Sequence, residues 1–236
     1  MLLYQPHDGY CYNSDTHFLH HFINTNLKIF KNIKGELLDI GSGSGILGLL
    51  VARDNAKLNL NQCELQEKFQ ELSKINSKNN KIDSKIYKGK YQDISFDKLF
   101  DICVSNPPFY HSSVVKSENE NIKIARYNDS MPLVDFISKT SKILNQNGKF
   151  FFCYDVKQLN DIILTLNEFK FNIESIQFVH PKLGKDATLV LIYARKNSKS
   201  LMKILSPLIV FDGEDFTNEV QDIYKVSSTH SIKVEI

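Results

Sequence analysis

The chain has 236 residues, 42% hydrophobic and 24% charged, with 29 Lys and Arg against 27 Asp and Glu for a formal net charge of +2. These proportions are ordinary for a folded globular enzyme, and the small net charge rules out nucleic-acid binding by bulk electrostatics, so any RNA contact must come from local patches. No apolar run approaches the roughly 18 residues of a membrane span, and the polar N-terminus lacks the basic and apolar regions of an export signal, so a cytoplasmic protein is expected.

In chain order, Asp15 to Phe30 reads as an amphipathic helix covering the domain, with Ser14 or Asp15 as N-cap. LLDI (37–40) is a short strand that ends in a glycine-rich turn, and Ile46 to Arg53 continues as an apolar helix. The alternation repeats: a strand at 57–63, a helix near 65–79, and strands near 84–88 and 101–105. After a polar stretch near 110–130 come a helix at about 132–145, a turn at Gly148, the strand KFFFCYD and a helix at about 156–168. The last two strands, near 173–180 and 188–195, are joined by PKLGKD, which is too short for a helical crossover, so they pair antiparallel. The pattern predicts an α/β Rossmann-like domain: a mostly parallel seven-stranded sheet closed by an antiparallel hairpin, with helices on both faces. One domain over 1–236 is expected, with an N-terminal segment 1–35, a core 36–196 and a C-terminal extension 197–236. Cys11, Cys63, Cys103 and Cys153 contain no CxxC pair, and three of them fall in strand-like runs, which fits buried, reduced thiols.

The run DIGSGSGILG permits a tight turn in which a ligand rests against main-chain N–H groups at a helix start. Gly43, Gly45 and Gly48 also spell GxGxxG, so from this segment alone an NAD-dependent dehydrogenase competes with a nucleoside-type cofactor. Gly41, Gly43, Gly45 and the leading Asp39 form the candidate cradle. Glu64 closes the second strand, where an acidic side chain accepts from both ribose hydroxyls. Asp93 follows the third strand and could accept from an adenine amino group, or simply be a solvated carboxylate.

Ser105-Asn106-Pro107-Pro108-Phe109 at the end of the fourth strand is the more specific signal. Two prolines make a stiff turn that offers carbonyl acceptors and no competing N–H. An exocyclic amino group is a poor nucleophile because its lone pair is delocalised into the ring. If the Asn106 amide oxygen and the Pro107 carbonyl accept its two N–H bonds, charge developing on nitrogen is stabilised while Phe109 stacks on the ring. The arrangement calls for S-adenosylmethionine as methyl donor and for no metal.

With these residues the chain resembles the class I methyltransferases with an NPPF or NPPY motif, which implies the strand order 3-2-1-4-5-7-6. QPHDGYCYNSDTHFLHHF, ARYND and LSPLIVFDGEDFTNEVQDIY are similar to segments of the bacterial tRNA1(Val) adenine-37 N6-methyltransferase family. The resemblance runs from Gln5 to about Tyr224, and departs where Cys11 stands in place of an arginine common in that family. It implies that Gln5, Tyr10 and Asp15 close over S-adenosylmethionine, that Gly41, Gly43, Gly45 and Glu64 hold it, and that Asn106 to Phe109 hold the base. The implied partner is RNA, a tRNA anticodon loop.

Pro108 completes the substrate wall, and Lys116, Lys123 and Arg126 place positive charge in the 110–130 stretch, either as a lid touching phosphates or as a solvated loop. Lysines between Lys68 and Lys90 are interspersed with acids and read as solvated faces, whereas Lys182, Lys185, Arg195 and Lys196 flank the last hairpin as patch candidates. His17 and His21 stand at i, i+4, but no third ligand accompanies them, so no metal site is expected. Guanine N2 in ribosomal RNA, a protein glutamine amide, the dehydrogenase and a catalytically silent binding module remain as alternatives. The dehydrogenase would need a substrate domain for which this chain leaves little room.

Overall fold

The computed structural model describes residues 1–7, 11–108 and 131–235. In chain order the elements are β1 (Leu2–Pro6), α1 (Ser14–Leu27), β2 (Gly35–Ile40), α2 (Ile46–Asp54), β3 (Leu58–Glu64), α3 (Glu67–Asn79), β4 (Ser84–Lys88) and β5 (Phe100–Ser105). Then follow α4 (Leu133–Ile143), β6 (Leu144–Asp155), α5 (Leu159–Glu168), β7 (Phe171–Lys182), β8 (Leu189–Lys196), β9 (Lys203–Ile204), β10 (Leu208–Asp212), β11 (Asp215–Phe216), α6 (Asn218–Ser227) and β12 (His230–Val234).

Strands β2 to β8 lie in the order β4-β3-β2-β5-β6-β8-β7, and within those seven only β8 runs antiparallel to its neighbours. Numbered along the chain from β2, this is 3-2-1-4-5-7-6. The expected count of seven falls short, because β10 continues the sheet parallel to β7, β11 folds back on β10 and β9 also pairs with β7, giving ten strands. A second correction concerns the chain ends: β1 and β12 form a separate parallel pair that no periodicity announced.

The central strands read as unbroken apolar runs because both of their faces are covered. Phe150, Phe151, Phe152, Cys153 and Tyr154 of β6 are all at most 1% exposed. Phe151 stacks on Tyr193 of β8 at 4.3 Å, and Phe150 and Phe152 meet Phe136 of α4 edge-on. Helices α1 and α2 pack together, as do α4 and α5. The three strand cysteines, Cys63, Cys103 and Cys153, are free and buried, as expected.

Two local expectations are corrected. The N-cap of α1 is Asn13 rather than Ser14 or Asp15, and the Ser14 hydroxyl instead bonds Tyr224 of α6 at 2.6 Å. Strand β6 begins directly after α4, and its pairing with β5 jumps from Phe100–Leu144 to Ile102–Lys149, so the Gly148 turn is a bulge inside the strand.

The site follows from topology. The chain leaves β2 toward β3 on one side, while β5 pairs on the other, so the C-terminal ends of β2 and β5 frame a crevice at the point where strand order reverses. Ser105, fully buried, locks the two ends together by donating its hydroxyl to the Ile40 carbonyl at 2.7 Å.

Candidate active site

Gly41, Gly43 and Gly45 all adopt positive φ (66°, 54° and 85°), a region in which a side chain is strained. Their tasks differ. Gly41 and Gly43 line the crevice. Gly45, expected in the cradle, is the N-cap of α2, and a Cβ there would sit 2.8 Å from the Ser73 hydroxyl, so it serves the packing of α2 on α3. Gly48 likewise lets α2 approach the sheet, since a Cβ would meet Leu60 at 2.8 Å and the Asp39 Cβ at 2.9 Å.

Asp39 is 1% exposed and accepts the Gly48 N–H at 2.8 Å. Burial pushes its carboxyl up to about 7; the Gly48 N–H opposes the rise and the nearby Glu64 adds to it. Glu64 is 6% exposed, with one oxygen accepting the Gly43 N–H at 2.8 Å and the other the Gln66 N–H at 2.9 Å. Burial raises its carboxyl as well, while these backbone donors favour the ionised form. Each carboxylate oxygen keeps a lone pair for a ligand.

Two recesses share Gly41, Gly43, Phe69 and Asn106. One, about 600 Å³, is lined by Glu64, Leu65, Gln66, Lys90, Tyr91, Pro108 and Met131. The other, about 390 Å³, is lined by Gln5, Tyr12, Thr16, Asp39, Ser42 and Ser44. Gln5 is 1% exposed and donates to the Ser44 hydroxyl, and among the described residues neither its Oε1 nor the buried Ser42 hydroxyl has a hydrogen-bond partner. An unpaired acceptor and an unpaired donor in one small recess match the ammonium and carboxylate of an amino acid. The flat apolar walls and the Glu64 carboxylate of the larger recess match a nucleoside. The residues therefore fit S-adenosylmethionine, whose methionine end Gln5 and Ser42 would hold and whose ribose Glu64 would hold.

Asn106 forms part of both recesses, at their junction. Its Nδ2 donates to the Thr16 hydroxyl of α1 at 3.1 Å, and its Oδ1 accepts from the Cys153 thiol of β6 at 3.0 Å. Pro107 is buried beside it and Pro108 faces the larger recess.

Other expected residues stand elsewhere. Asp93 is exposed and absent from the lining of both recesses, where the neighbouring Tyr91 and Lys90 stand instead, Lys90 exposed as its surroundings suggested but at the rim of the larger recess. Asp15 is partly buried, accepts from Asn13 at 2.8 Å and has its carboxyl raised by burial, but lines neither recess. Tyr10, Phe109, Lys116, Lys123 and Arg126, with the whole 110–130 stretch, lie outside the described residues. Arg195 and Lys196 belong to the sheet edge remote from Asn106, where Arg195 pairs with Glu174 at 3.3 Å and Lys196 donates to the Leu144 carbonyl at 2.9 Å. Lys182 and Lys185 are exposed at the near edge. His17 is buried between the rings of Tyr12 and Tyr224, with its imidazole lowered to about 4 by burial and by His20. Among the described residues no group of three His, Cys, Asp or Glu could hold a metal ion, and no helix is long and apolar enough to cross a membrane.

Sequence reasoning missed Thr16, Ser42 and Asn76. Asn76 of α3, fully buried, bonds both the N–H and the carbonyl of Tyr4 (2.7 and 3.0 Å) and donates to the Ser44 carbonyl at 2.8 Å, tying β1 to the glycine loop. A lone Asn in a polar helix sequence gives no sign of this.

Fold and site together define a class I S-adenosylmethionine-dependent methyltransferase. Residues 16–168, well over half of the chain, match the model of the methyltransferase small domain, and the chain belongs to that family. This resolves the glycine loop in favour of S-adenosylmethionine over a dinucleotide. A tRNA1(Val) (adenine(37)-N6)-methyltransferase of Flavobacterium psychrophilum is 24% identical over 190 residues, covering 78% of this chain and 80% of the relative. Among solved structures, a protein of Agrobacterium tumefaciens described as a predicted O-methyltransferase superposes with a TM-score of 0.68 at 19% identity, over 93% of this chain and all of that one. The 16S rRNA guanine-N2 methyltransferase of T. thermophilus, in complex with AdoMet and guanosine, gives 0.57 at 18% identity, over 79% of this chain and 44% of that one. Both likenesses concern the fold.

Proposed function

We propose that this methyltransferase acts on adenine N6 in RNA, at position 37 of a tRNA anticodon loop, in the cytoplasm. The observation that carries the reading is the Asn106 amide at the junction of the two recesses, followed by two prolines. The name borne by the Flavobacterium relative, aligned over most of both chains, supports the base and the RNA.

S-adenosylmethionine, when bound, supplies an electrophilic methyl group. The chain's own part is to hold the acceptor. Asn106 Oδ1 and the Pro107 carbonyl accept the two amino hydrogens, so the positive charge that develops on nitrogen meets fixed acceptors, each contributing about 1.5–3 kcal/mol. An amide is no general base, so Asn106 acts by electrostatics and alignment, and the proton leaves late, to water. An anticodon loop suits such a pocket because an unpaired base can be splayed out without melting a long duplex. Exposed Lys182 and Lys185 at the near sheet edge supply local charge for phosphates, so RNA affinity should fall steeply with salt.

The reading is tested by incubating the protein with labelled S-adenosylmethionine and separate tRNA, ribosomal RNA and protein fractions, then digesting the labelled fraction. Label as N6-methyladenosine from tRNA is expected. Label as N2-methylguanosine or methylglutamine would replace the proposed substrate with one of the other planar amino groups the same acceptors serve.

A further inference from the structure

Asn106 is useful only if its amide presents oxygen, and not nitrogen, to the amino group. A free amide can rotate by half a turn at little cost, exchanging an acceptor for a donor. Three elements converge to prevent this. The parallel register that pairs Ser105 with Phe152 sets Asn106 beside Cys153 of β6, and α1 lays Thr16 against the other end of the amide. Thr16 and Cys153 are 2% and 0% exposed, so water does not compete for them.

The direction of the lock comes from the thiol. A threonine hydroxyl can donate or accept and is indifferent to a flip, whereas a protonated thiol is foremost a weak donor. Burial, reinforced by the nearby Asp15, pushes the Cys153 thiol well above its ordinary range, so it keeps its proton at neutral pH. With S–H facing Asn106, only the amide oxygen is well placed there, and the nitrogen is directed at Thr16. One lone pair of Oδ1 and one hydrogen of Nδ2 remain for the cleft.

We propose that Cys153 and Thr16 are positioning residues of the methyl-transfer step, fixing the Asn106 amide so that its oxygen is permanently offered to the substrate amino group. This rests on the N-methylation reading above. Each acts through Asn106, and Thr16 also lines the smaller recess.

The test compares Thr16→Ser, which keeps the hydroxyl, with Thr16→Val, which removes it, and Cys153→Ala, which removes the thiol donor, with Cys153→Ser, which puts in its place a hydroxyl that can donate or accept. Steady-state kcat and KM are measured on an unmodified anticodon stem-loop RNA with adenine at position 37, with S-adenosylhomocysteine affinity by calorimetry and thermal unfolding in parallel. Misalignment of a positioned group costs about 10- to 100-fold in rate, so Cys153→Ala and Thr16→Val should lose that much kcat. KM for RNA and folding should stay close to wild type in all four, as should cofactor affinity in the two Cys153 variants; Thr16→Ser should recover to within about threefold, and Cys153→Ser, whose hydroxyl no longer dictates the direction of the amide, should fall between wild type and Cys153→Ala. Rates of Cys153→Ala and Thr16→Val equal to wild type would overturn the inference, as would a Thr16→Ser variant as slow as Thr16→Val, a Cys153→Ser variant as fast as wild type, or Cys153→Ala losses explained by cofactor affinity or unfolding. Wild-type protein that methylates no adenine would overturn the N6 reading and with it this inference, whereas active wild type with unaffected variants would overturn this inference alone.

Discussion

Replacing Glu64 by Gln alters two interactions at once. Each carboxylate oxygen receives one backbone N–H, from Gly43 at 2.8 Å and from Gln66 at 2.9 Å, and each has one lone pair left for a ribose hydroxyl. In Glu64→Gln one oxygen becomes an NH2 group facing a backbone donor, and the remaining oxygen loses its charge. Losing one charged hydrogen bond to the ligand and weakening the other costs about 3 kcal/mol, or roughly 100-fold in affinity for S-adenosylhomocysteine. Calorimetric titration reads this directly. The wild-type carboxyl is raised by burial, and the ligand's hydroxyls favour its ionised form, so wild-type affinity should climb with pH through the Glu64 titration and then level. The Gln variant should lack that rise. A folded Glu64→Gln protein binding within about threefold of wild type would refute the assignment of Glu64 to the ribose.

Three further outcomes follow from the same geometry. Gly48→Ala drives a Cβ to 2.9 Å from the Asp39 Cβ, an overpacking that should cost about 1–3 kcal/mol and lower the thermal midpoint by several degrees, as calorimetry would show. Asn76→Ala frees β1 and the glycine loop together and should weaken S-adenosylhomocysteine binding by about tenfold; unchanged affinity would show that β1 does not depend on this anchor. The Asp39 carboxyl, pushed from an ordinary 3.8 to about 7, favours the fold fully only below the lower value and loses that contribution as pH rises through the higher one. The loss is at most about 4 kcal/mol, so Asp39→Asn, which keeps an acceptor for Gly48, should flatten the fall in stability between about pH 4 and pH 7.

The order of elements was legible because each parallel strand is an apolar run set off by a helix of different period, and the short PKLGKD link forced β7 and β8 to pair antiparallel. The tail was not. β9 and β11 have two residues each, and β12 is exposed over most of its length, so none of them carries an alternation of buried and exposed positions. In the site, glycines and NPP announced themselves through backbone geometry, and Glu64 through its place at a strand end. Thr16 and Cys153 act by touching Asn106 across 90 and 47 residues of chain, contacts that exist only once the sheet has formed. The packing task of Gly45 was not legible, because a glycine required for helix packing and one required for a ligand look alike in sequence.

The central claim is that Asn106 offers its amide oxygen to a planar amino group at the junction of the two recesses. A crystal structure with S-adenosylhomocysteine and adenosine bound together tests it most directly. The account predicts adenine N6 at about 2.8–3.2 Å from Asn106 Oδ1 and from the Pro107 carbonyl, with the cofactor sulfur on the opposite side of N6. An adenine ring held elsewhere, or an Asn106 amide turned away from N6, would contradict it.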